Sequence, residues 1–388
     1  MWRATVPLAE PINRNGVAPV KASDEPLLRK HMPELDVLRG VAILVVVLYH
    51  GLYWAGAQAP HGSFAYFVIQ ASVFGWLGVN LFFVLSGFLI TGILLDTKPR
   101  PNYFRQFYFR RVLRILPAYL ATIAVLLIVH ILNLKSTVVA LLFLTNYNVA
   151  LGVTASYGPF WSLSVEEQFY LLWPAIVRKT SIKSLTLIAT GLCLAEPLLR
   201  FLSASGRLPI GDGHQATYLI ADNLAVGVLA AIFARSRFGT LRNSIRIGLA
   251  VSAAGFLILA TGIPFGILHR ANLFGAALQP VPWNLIFAGA LLLMLGLRSQ
   301  FFAGHWTAPV RFLGYISYGL YLIHLLIYNL YRWLVAHIPN QALQIRFQGP
   351  LTRMLLEGLL AVFVAWLSRR FYEEPFLRRK FTPPAPST

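Results

Sequence analysis

Apolar positions in this chain are gathered into long runs. The first, ELDVLRGVAILVVVLYHGLYW at residues 34–54, is long enough to cross a bilayer as one helix. Comparable runs lie at about 76–95, 115–133, 160–177, 184–202, 217–234, 247–263, 283–297, 312–335 and 351–368, which makes ten. A further run at 136–152 is interrupted by Thr145, Asn146 and Asn148. Parity argues against a full crossing there, so a re-entrant or interfacial segment is expected. The pattern predicts an all-α, polytopic membrane protein with about ten transmembrane helices.

Composition leads to the same class. Hydrophobic residues make up 57% of the chain, charged residues only 12%, and the mean hydropathy is +0.64. A net charge of +19 would suit a nucleic-acid binder, but the cations sit in short clusters between apolar runs, where they set membrane orientation. Segments placed on one side by alternation (1–33, 96–114, 178–183, 235–246, 298–311 and 369–388) hold 25 Lys and Arg, against 7 in the intervening stretches. This asymmetry predicts that both termini are cytoplasmic. Nucleic acid is not an expected partner; the lipid bilayer is.

Residues 1–33 are polar and Pro-rich without the apolar centre of a cleavable signal peptide, and read as a flexible cytosolic lead-in. Residues 34–380 form the membrane domain, and 381–388 a disordered tail. Cys193, the only cysteine, lies in an apolar run, so neither an intramolecular disulfide nor a cysteine metal cluster is available. No metal site is expected.

Several polar residues interrupt the apolar runs. Arg39 and His50 are eleven residues apart, which leaves them within roughly 20° on one helical face and about 16 Å apart along it. Asp36 lies one turn below Arg39 as a candidate partner. Snorkelling would explain Arg39 alone and an interhelical hydrogen bond His50 alone. Both on one stripe suggest a site that grips an anion at one depth and moves a proton at another.

In NLFFVLSGFLITG, residues 80–92, Ser86 reads either as part of a small-residue packing face with Gly87 and Gly92 or as a hydrogen-bond donor in a cavity, and the sequence does not separate the two. In FRRVLRILPAYL, residues 109–120, Arg105 just upstream and Arg110 read as positive-inside anchors. Arg111 and Arg114, spaced i, i+3, share a face as the helix enters the bilayer, where guanidinium forks suit phosphate oxygens. In YGPFWSLSVEEQFYLLWP, residues 157–174, Ser164 and Glu167 match a capping box, which leaves Glu166 without a structural reason. Both carboxylates are expected at the level of His50, where either would orient its imidazole. His324 lies deep in the run at 312–335, Glu374 is expected to pair with a nearby Arg, and Glu196 and Asp222 are acids in apolar surroundings without an assigned role.

Together LDVLRGVAILVVVLYH, FFVLSGFLI, RRVLRILPAY, WSLSVEEQFYLLWP, ISYGLYLIH and the closing EEPF resemble the membrane acyltransferase family 3. These enzymes O-acylate bacterial surface glycans, lipopolysaccharide, exopolysaccharides and some lipid or antibiotic acceptors. The motifs follow the family's order over about residues 34–380. The resemblance implies ten membrane helices in the bacterial inner membrane, an acyl-CoA donor taken from the cytoplasm, expected to be acetyl-CoA, and a carbohydrate or glycolipid acceptor at the outer side. Carried over by motif, Arg39 and His50 are the essential pair and Arg111 and Arg114 the basic pair for the donor. Ser86, Glu166, Glu167 and His324 match motif positions with less defined roles. No tightly bound cofactor is implied. Members with a fused extracytoplasmic SGNH esterase-like domain are longer, so a stand-alone acyltransferase domain is expected, with room for a separate extracytoplasmic partner.

The expected mechanism places CoA phosphates on Arg39, Arg111 and Arg114, the pantetheine arm rising between helices, and the thioester beside His50. His50 takes the acceptor's proton directly, or becomes acylated in a two-step route. Glu166 or Glu167 orients it, Ser86 donates to the oxyanion, and Asp36 and His324 are candidates for lining the channel. One rival is a proton-coupled exporter of a phosphorylated or glycan substrate, which predicts two similar halves that the sequence does not contain. A second is a catalytically idle membrane partner.

Overall fold

A computed structural model describes residues 27–29, 31–208, 215–298 and 300–379. Residues 1–26 of the expected lead-in and all of the expected tail, 381–388, lie outside them. Among the described residues the chain is helical and has no strand. The helices are α1 Pro33–Leu48, α2 Phe64–Ser72, α3 Leu77–Thr97, α4 Tyr103–Ile128, α5 Leu134–Leu141, α6 Phe160–Lys179, α7 Ile182–Ala204, α8 Ala221–Arg235, α9 Leu241–Gly262, α10 Leu273–Leu278, α11 Pro280–Leu297, α12 Ala308–Ala336, α13 Gln341–Gln348, α14 Pro350–Leu367 and α15 Glu374–Leu377. Two π-helical turns, Tyr49–Tyr53 and Ser368–Glu373, extend α1 and α14. The protein is an all-α polytopic membrane protein.

Eight helical stretches are long and apolar enough to cross a membrane: Pro33–Tyr53, Phe64–Thr97, Tyr103–Ile128, Ile182–Ala204, Leu241–Phe265, Leu273–Leu297, His305–Ala336 and Pro350–Leu377. The other two expected spans are also helices and fall short for different reasons. The polar residues Glu166, Glu167 and Gln168 dilute α6, while α8 has 15 residues, about 22 Å of helix against a hydrocarbon layer of about 30 Å. The interrupted run at 136–152 holds only the eight-residue α5 and a single 3-10 turn, Thr145–Tyr147, too short to cross. Two boundaries differ from expectation. The basic cluster placed ahead of the third span lies inside α4, which begins at Tyr103 and stops at Ile128 before His130 turns left-handed at φ 57°. Arg200, at the end of the run 184–202 and counted with the cations of the stretch that follows it, is inside α7 and buried.

The described residues divide into two compact units. One takes the residues up to Val41, then Asn80–Ile93 and Lys179–Tyr315. Glycines let its helices touch backbone to backbone. A Cβ on Gly40 of α1 would stand 1.9 Å from the Val310 carbonyl oxygen of α12, and one on Gly314 of α12 would stand 2.1 Å from that of Asp36. The same reciprocity holds at Gly87 of α3 against Leu224, 2.0 Å, and Gly227 of α8 against Val84, 2.1 Å. Small residues serve such contacts because lipid tails offer helices no hydrophobic drive to associate. The buried Arg200 bonds Asp222, 2.9 Å, Glu196, 3.4 Å, and the carbonyls of Ala277 and Leu219. These two acids, without a role in the sequence, are the counter-charges of a buried arginine.

The second unit takes Ala42–Val79, Leu94–Arg178 and the described residues from Ile316 onward. Tyrosine hydroxyls join its helices by donating to carbonyls of other helices: Tyr119 to Ala140, 2.8 Å, Tyr318 to Ile115, 2.8 Å, and Tyr103 to Pro174, 3.0 Å. Glu374 pairs with Arg378 at 2.9 Å and Arg370 at 3.6 Å, as its sequence setting suggested, whereas the buried Glu373 bonds Arg369 and Ser368.

Candidate active site

The π-helical turn Tyr49–Tyr53 of the second unit carries His50. Its bonds run five residues back, with the Trp54 N–H donating to the Tyr49 carbonyl at 2.8 Å. A π-turn accommodates one extra residue and leaves backbone carbonyls short of helical donors. Side chains supply those donors: His50 Nδ1 is 3.0 Å from the Val46 carbonyl oxygen, the Tyr328 hydroxyl donates to Val47 at 3.2 Å, and Arg353 donates to Gly51 at 3.2 Å. Gly51 is where α14 presses closest, since a Cβ there would lie 2.2 Å from Met354 Sδ.

His324, fully buried on α12, meets His50 directly. Its Nε2 is 3.2 Å from His50 Nδ1, and the ring centroids are 4.9 Å apart. The surroundings decide the tautomers. His324 Nδ1 faces two acceptors, the carbonyls of Tyr321 at 2.8 Å and Leu320 at 3.2 Å, so it carries the hydrogen and Nε2 is left as an acceptor. His50 Nδ1, between that acceptor and the Val46 carbonyl, must then carry a hydrogen too. In the neutral ring this leaves His50 Nε2 with the free lone pair.

The stretch 157–174 acts on this pair through α12. The Tyr157 hydroxyl donates to Leu322 at 2.7 Å and accepts from the Leu326 N–H at 3.3 Å, while Ser162 bonds the Tyr321 hydroxyl. These bonds bracket the turn that holds His324. The side-chain contact at His50 Nδ1 is made by His324, outside the stretch that holds the two glutamates expected to orient it. Glu166 instead accepts from the Tyr170 hydroxyl at 3.2 Å, and Glu167 Oε1 is buried without a hydrogen bond. The Ser164–Glu167 capping box does not form, because α6 starts four residues earlier at Phe160; Ser164 bonds Thr145 at 2.8 Å.

Burial sorts the arginines of α4. Arg105 and Arg110 are exposed, while Arg111 and Arg114 are half-buried, with the Arg111 guanidinium 5.2 Å from the Tyr170 ring centre and 5.7 Å from that of Phe107. Tyr170 thus bridges Arg111, against its face, and Glu166, through its hydroxyl.

Three predicted residues belong to the first unit. Arg39 and Asp36 form an i, i+3 pair at 3.2 Å on α1, both partly shielded. Ser86 is half-buried on α3 between positions of close packing: Gly87 lies against Leu224, and a Cβ on Gly92 would meet the Arg235 guanidinium at 2.7 Å. Among the described residues no three His, Cys, Asp or Glu side chains converge as metal ligands.

Sequence reasoning missed Arg332, Arg353 and Glu357. Glu357 is wholly buried on α14 and bonds Arg332 of α12 at 3.1 Å, with Arg353 at 3.9 Å. The available signal was the Arg–Glu pair at i, i+4 inside the apolar run LTRMLLEGLL.

The chain matches, over residues 32–370, the family described as an acyltransferase domain. The peptidoglycan O-acetyltransferase OatA of Listeria monocytogenes is 28% identical over 91% of this chain and 57% of that protein. The O-acetyltransferase OatA of Staphylococcus aureus is 26% identical over 91% of this chain and 58% of that protein. The chain thus spans a little over half the length of these relatives. No solved structure matches it.

Proposed function

The chain belongs to the membrane acyltransferase family 3, and from that premise we propose that it transfers an acetyl group from acetyl-CoA to a hydroxyl of a cell-wall glycan, with His50 as general base. The acceptor class follows the Listeria relative, whose name specifies peptidoglycan. It narrows the lipopolysaccharide and exopolysaccharide range that the motifs alone left open.

The contact between His50 Nδ1 and His324 Nε2 carries the reading. It holds the imidazole in the tautomer whose Nε2 accepts a proton, and its acceptor lone pair stabilises the imidazolium that forms. As the acceptor oxygen attacks the thioester carbonyl, its proton passes to His50 Nε2. The new C–O bond replaces the C–S bond, and the departing thiolate takes that proton to leave as CoA thiol. Positioned acid–base groups of this kind contribute about 10²–10⁴-fold in rate.

Arg111 and Arg114 supply the donor side, where two half-buried forks suit the phosphates of CoA. Arg39 and Ser86 keep the places that their motifs give them, with the donor and with the oxyanion.

The test is CoA release by the purified protein in liposomes, with acetyl-CoA and peptidoglycan fragments as substrates. His50→Ala should lower turnover at least about 100-fold. Arg111→Ala should raise KM for acetyl-CoA about tenfold or more while kcat changes little, as expected when binding is lost equally in ground and transition states. Normal turnover by the His50 variant would sink the mechanism.

A further inference from the structure

We propose that Arg332 and Arg353, held by Glu357, bind an oxyanion carried by the acceptor, a carboxylate or phosphate next to the hydroxyl being acylated. The proposal rests on His50 being the base, and adds the acceptor chemistry that this side of the site selects.

Position is the first argument. Arg353 reaches the turn that bears His50 by donating to the Gly51 carbonyl at 3.2 Å. Tyr328 lies between the cluster and the histidines: its ring is 5.8 Å from that of His324 and 6.0 Å from the Arg332 guanidinium, which therefore lies within about 12 Å of the His324 ring. A short oligosaccharide bridges such a distance. Arg332 stands one turn before the end of α12 and Arg353 in the first turn of α14, so both are at the same end of this unit as the loop segment between those helices.

Charge is the second. Two guanidiniums share one carboxylate, and the cluster is one positive charge in excess. A guanidinium has five N–H donors, and Glu357 cannot satisfy ten. Arg332 Nη2 and Arg353 Nε are buried without hydrogen bonds, as is Glu357 Oε2. The Arg353 side chain is 17% exposed and that of Arg332 36%, so both arginines reach the surface beside these buried groups.

The third argument is what the arrangement costs. A cation in the first turn of a helix opposes the helix dipole, which favours anions there. These arginines also lie on the side that the charge pattern makes poor in cations. A purely structural pair would avoid the first penalty by reversing the order of Arg353 and Glu357. An arriving oxyanion relieves both: it accepts from the spare N–H groups and sits at the positive end of α14.

The probes are a soluble glycan of alternating N-acetylglucosamine and N-acetylmuramic acid, which carries a carboxylate on every second sugar, and the neutral N-acetylglucosamine oligomer of equal length. With full-length protein in phosphatidylcholine vesicles, the wild type should show a lower KM for the carboxylated glycan. Arg332→Gln and Arg353→Gln should each cut the ratio of the two KM values about ten- to hundredfold. Arg353→Lys, which keeps the charge and a donor for Gly51, should retain most of it. Arg346→Gln, exposed on α13 outside the cluster, should leave the ratio unchanged.

Equal KM values for both glycans, or a preference that survives both glutamine variants, would overturn the proposal. So would a preference that vanishes when phosphatidylglycerol enters the vesicles while the glutamine variants stop responding to that lipid, since the arginines would then be holding a headgroup. Loss of turnover with both glycans in His50→Ala keeps the general-base reading whichever of these is found, so the two failures are distinguishable.

Discussion

At the scale of single residues, the central event is that two histidines 274 positions apart meet through their ring nitrogens, and the backbone carbonyls of Val46, Leu320 and Tyr321 dictate which nitrogen is free. If His50 is the base, as proposed, His324 positions it through this contact. His324→Ala should lower kcat about ten- to hundredfold with KM for acetyl-CoA unchanged, a share of the effect that an acid–base group contributes. His324→Gln, whose side-chain oxygen reaches the position of Nε2, should recover part of that loss. A steady-state comparison of the three proteins reads both numbers. Equal activity in the Ala and Gln variants would mean that His324 only fills space. Residue type and helical phase made His50, Arg39 and Asp36 conspicuous in the sequence, and His324 conspicuous as a histidine in an apolar run. Partnership was not legible, because a hydrogen bond between distant segments leaves no local trace. For the same reason Glu166 and Glu167 were expected beside His50, whereas Tyr157 and Ser162, in the same stretch, secure its partner's helix.

At the scale of elements, two devices stand out. The π-turn and the residues just before it present three carbonyls, of Val46, Val47 and Gly51, to the side chains of His50, Tyr328 and Arg353, so the proposed base is held by backbone contacts as well as by His324. The glycine crossings set helix separations within the first unit. Gly40→Val should destabilise the protein by about 3 kcal/mol or more, the upper range for overpacking, because the obstacle is a backbone oxygen that cannot rotate away. Gly191→Ala, with open space at its Cβ in the middle of α7, should be neutral or stabilise by up to about 1 kcal/mol. Thermal unfolding in detergent distinguishes the two; similar shifts would contradict the packing assignment. Hydropathy found the long helices, missed short ones such as α2, α10 and α13, and placed several ends wrongly. A window average cannot see that α4 continues through four arginines, nor that Arg200 is neutralised inside α7 by acids four residues before and 22 residues after it.

At the scale of the whole molecule, the uneven distribution of cations predicts how the chain is oriented in the membrane. With Cys193 replaced by Ser, a cysteine at Pro99, exposed between α3 and α4, should react with an impermeant maleimide only after cells are opened. A cysteine at Gln341, exposed at the start of α13, should react in intact cells. The reverse pattern would overturn the orientation, and with it the direction of the proposed acetyl transfer.

The membrane class, the helices and the family motifs were determined by the sequence alone, because hydrophobic run length, charge asymmetry and short motifs are properties of neighbouring residues. Tertiary structure alone decided which imidazole nitrogen is free, that a second histidine bonds the other, and that two arginines near the ends of apolar runs converge on one buried carboxylate beside the pair. Each of these depends on distances of about 3 Å between segments tens to hundreds of residues apart, and those distances exist only once the helices have packed.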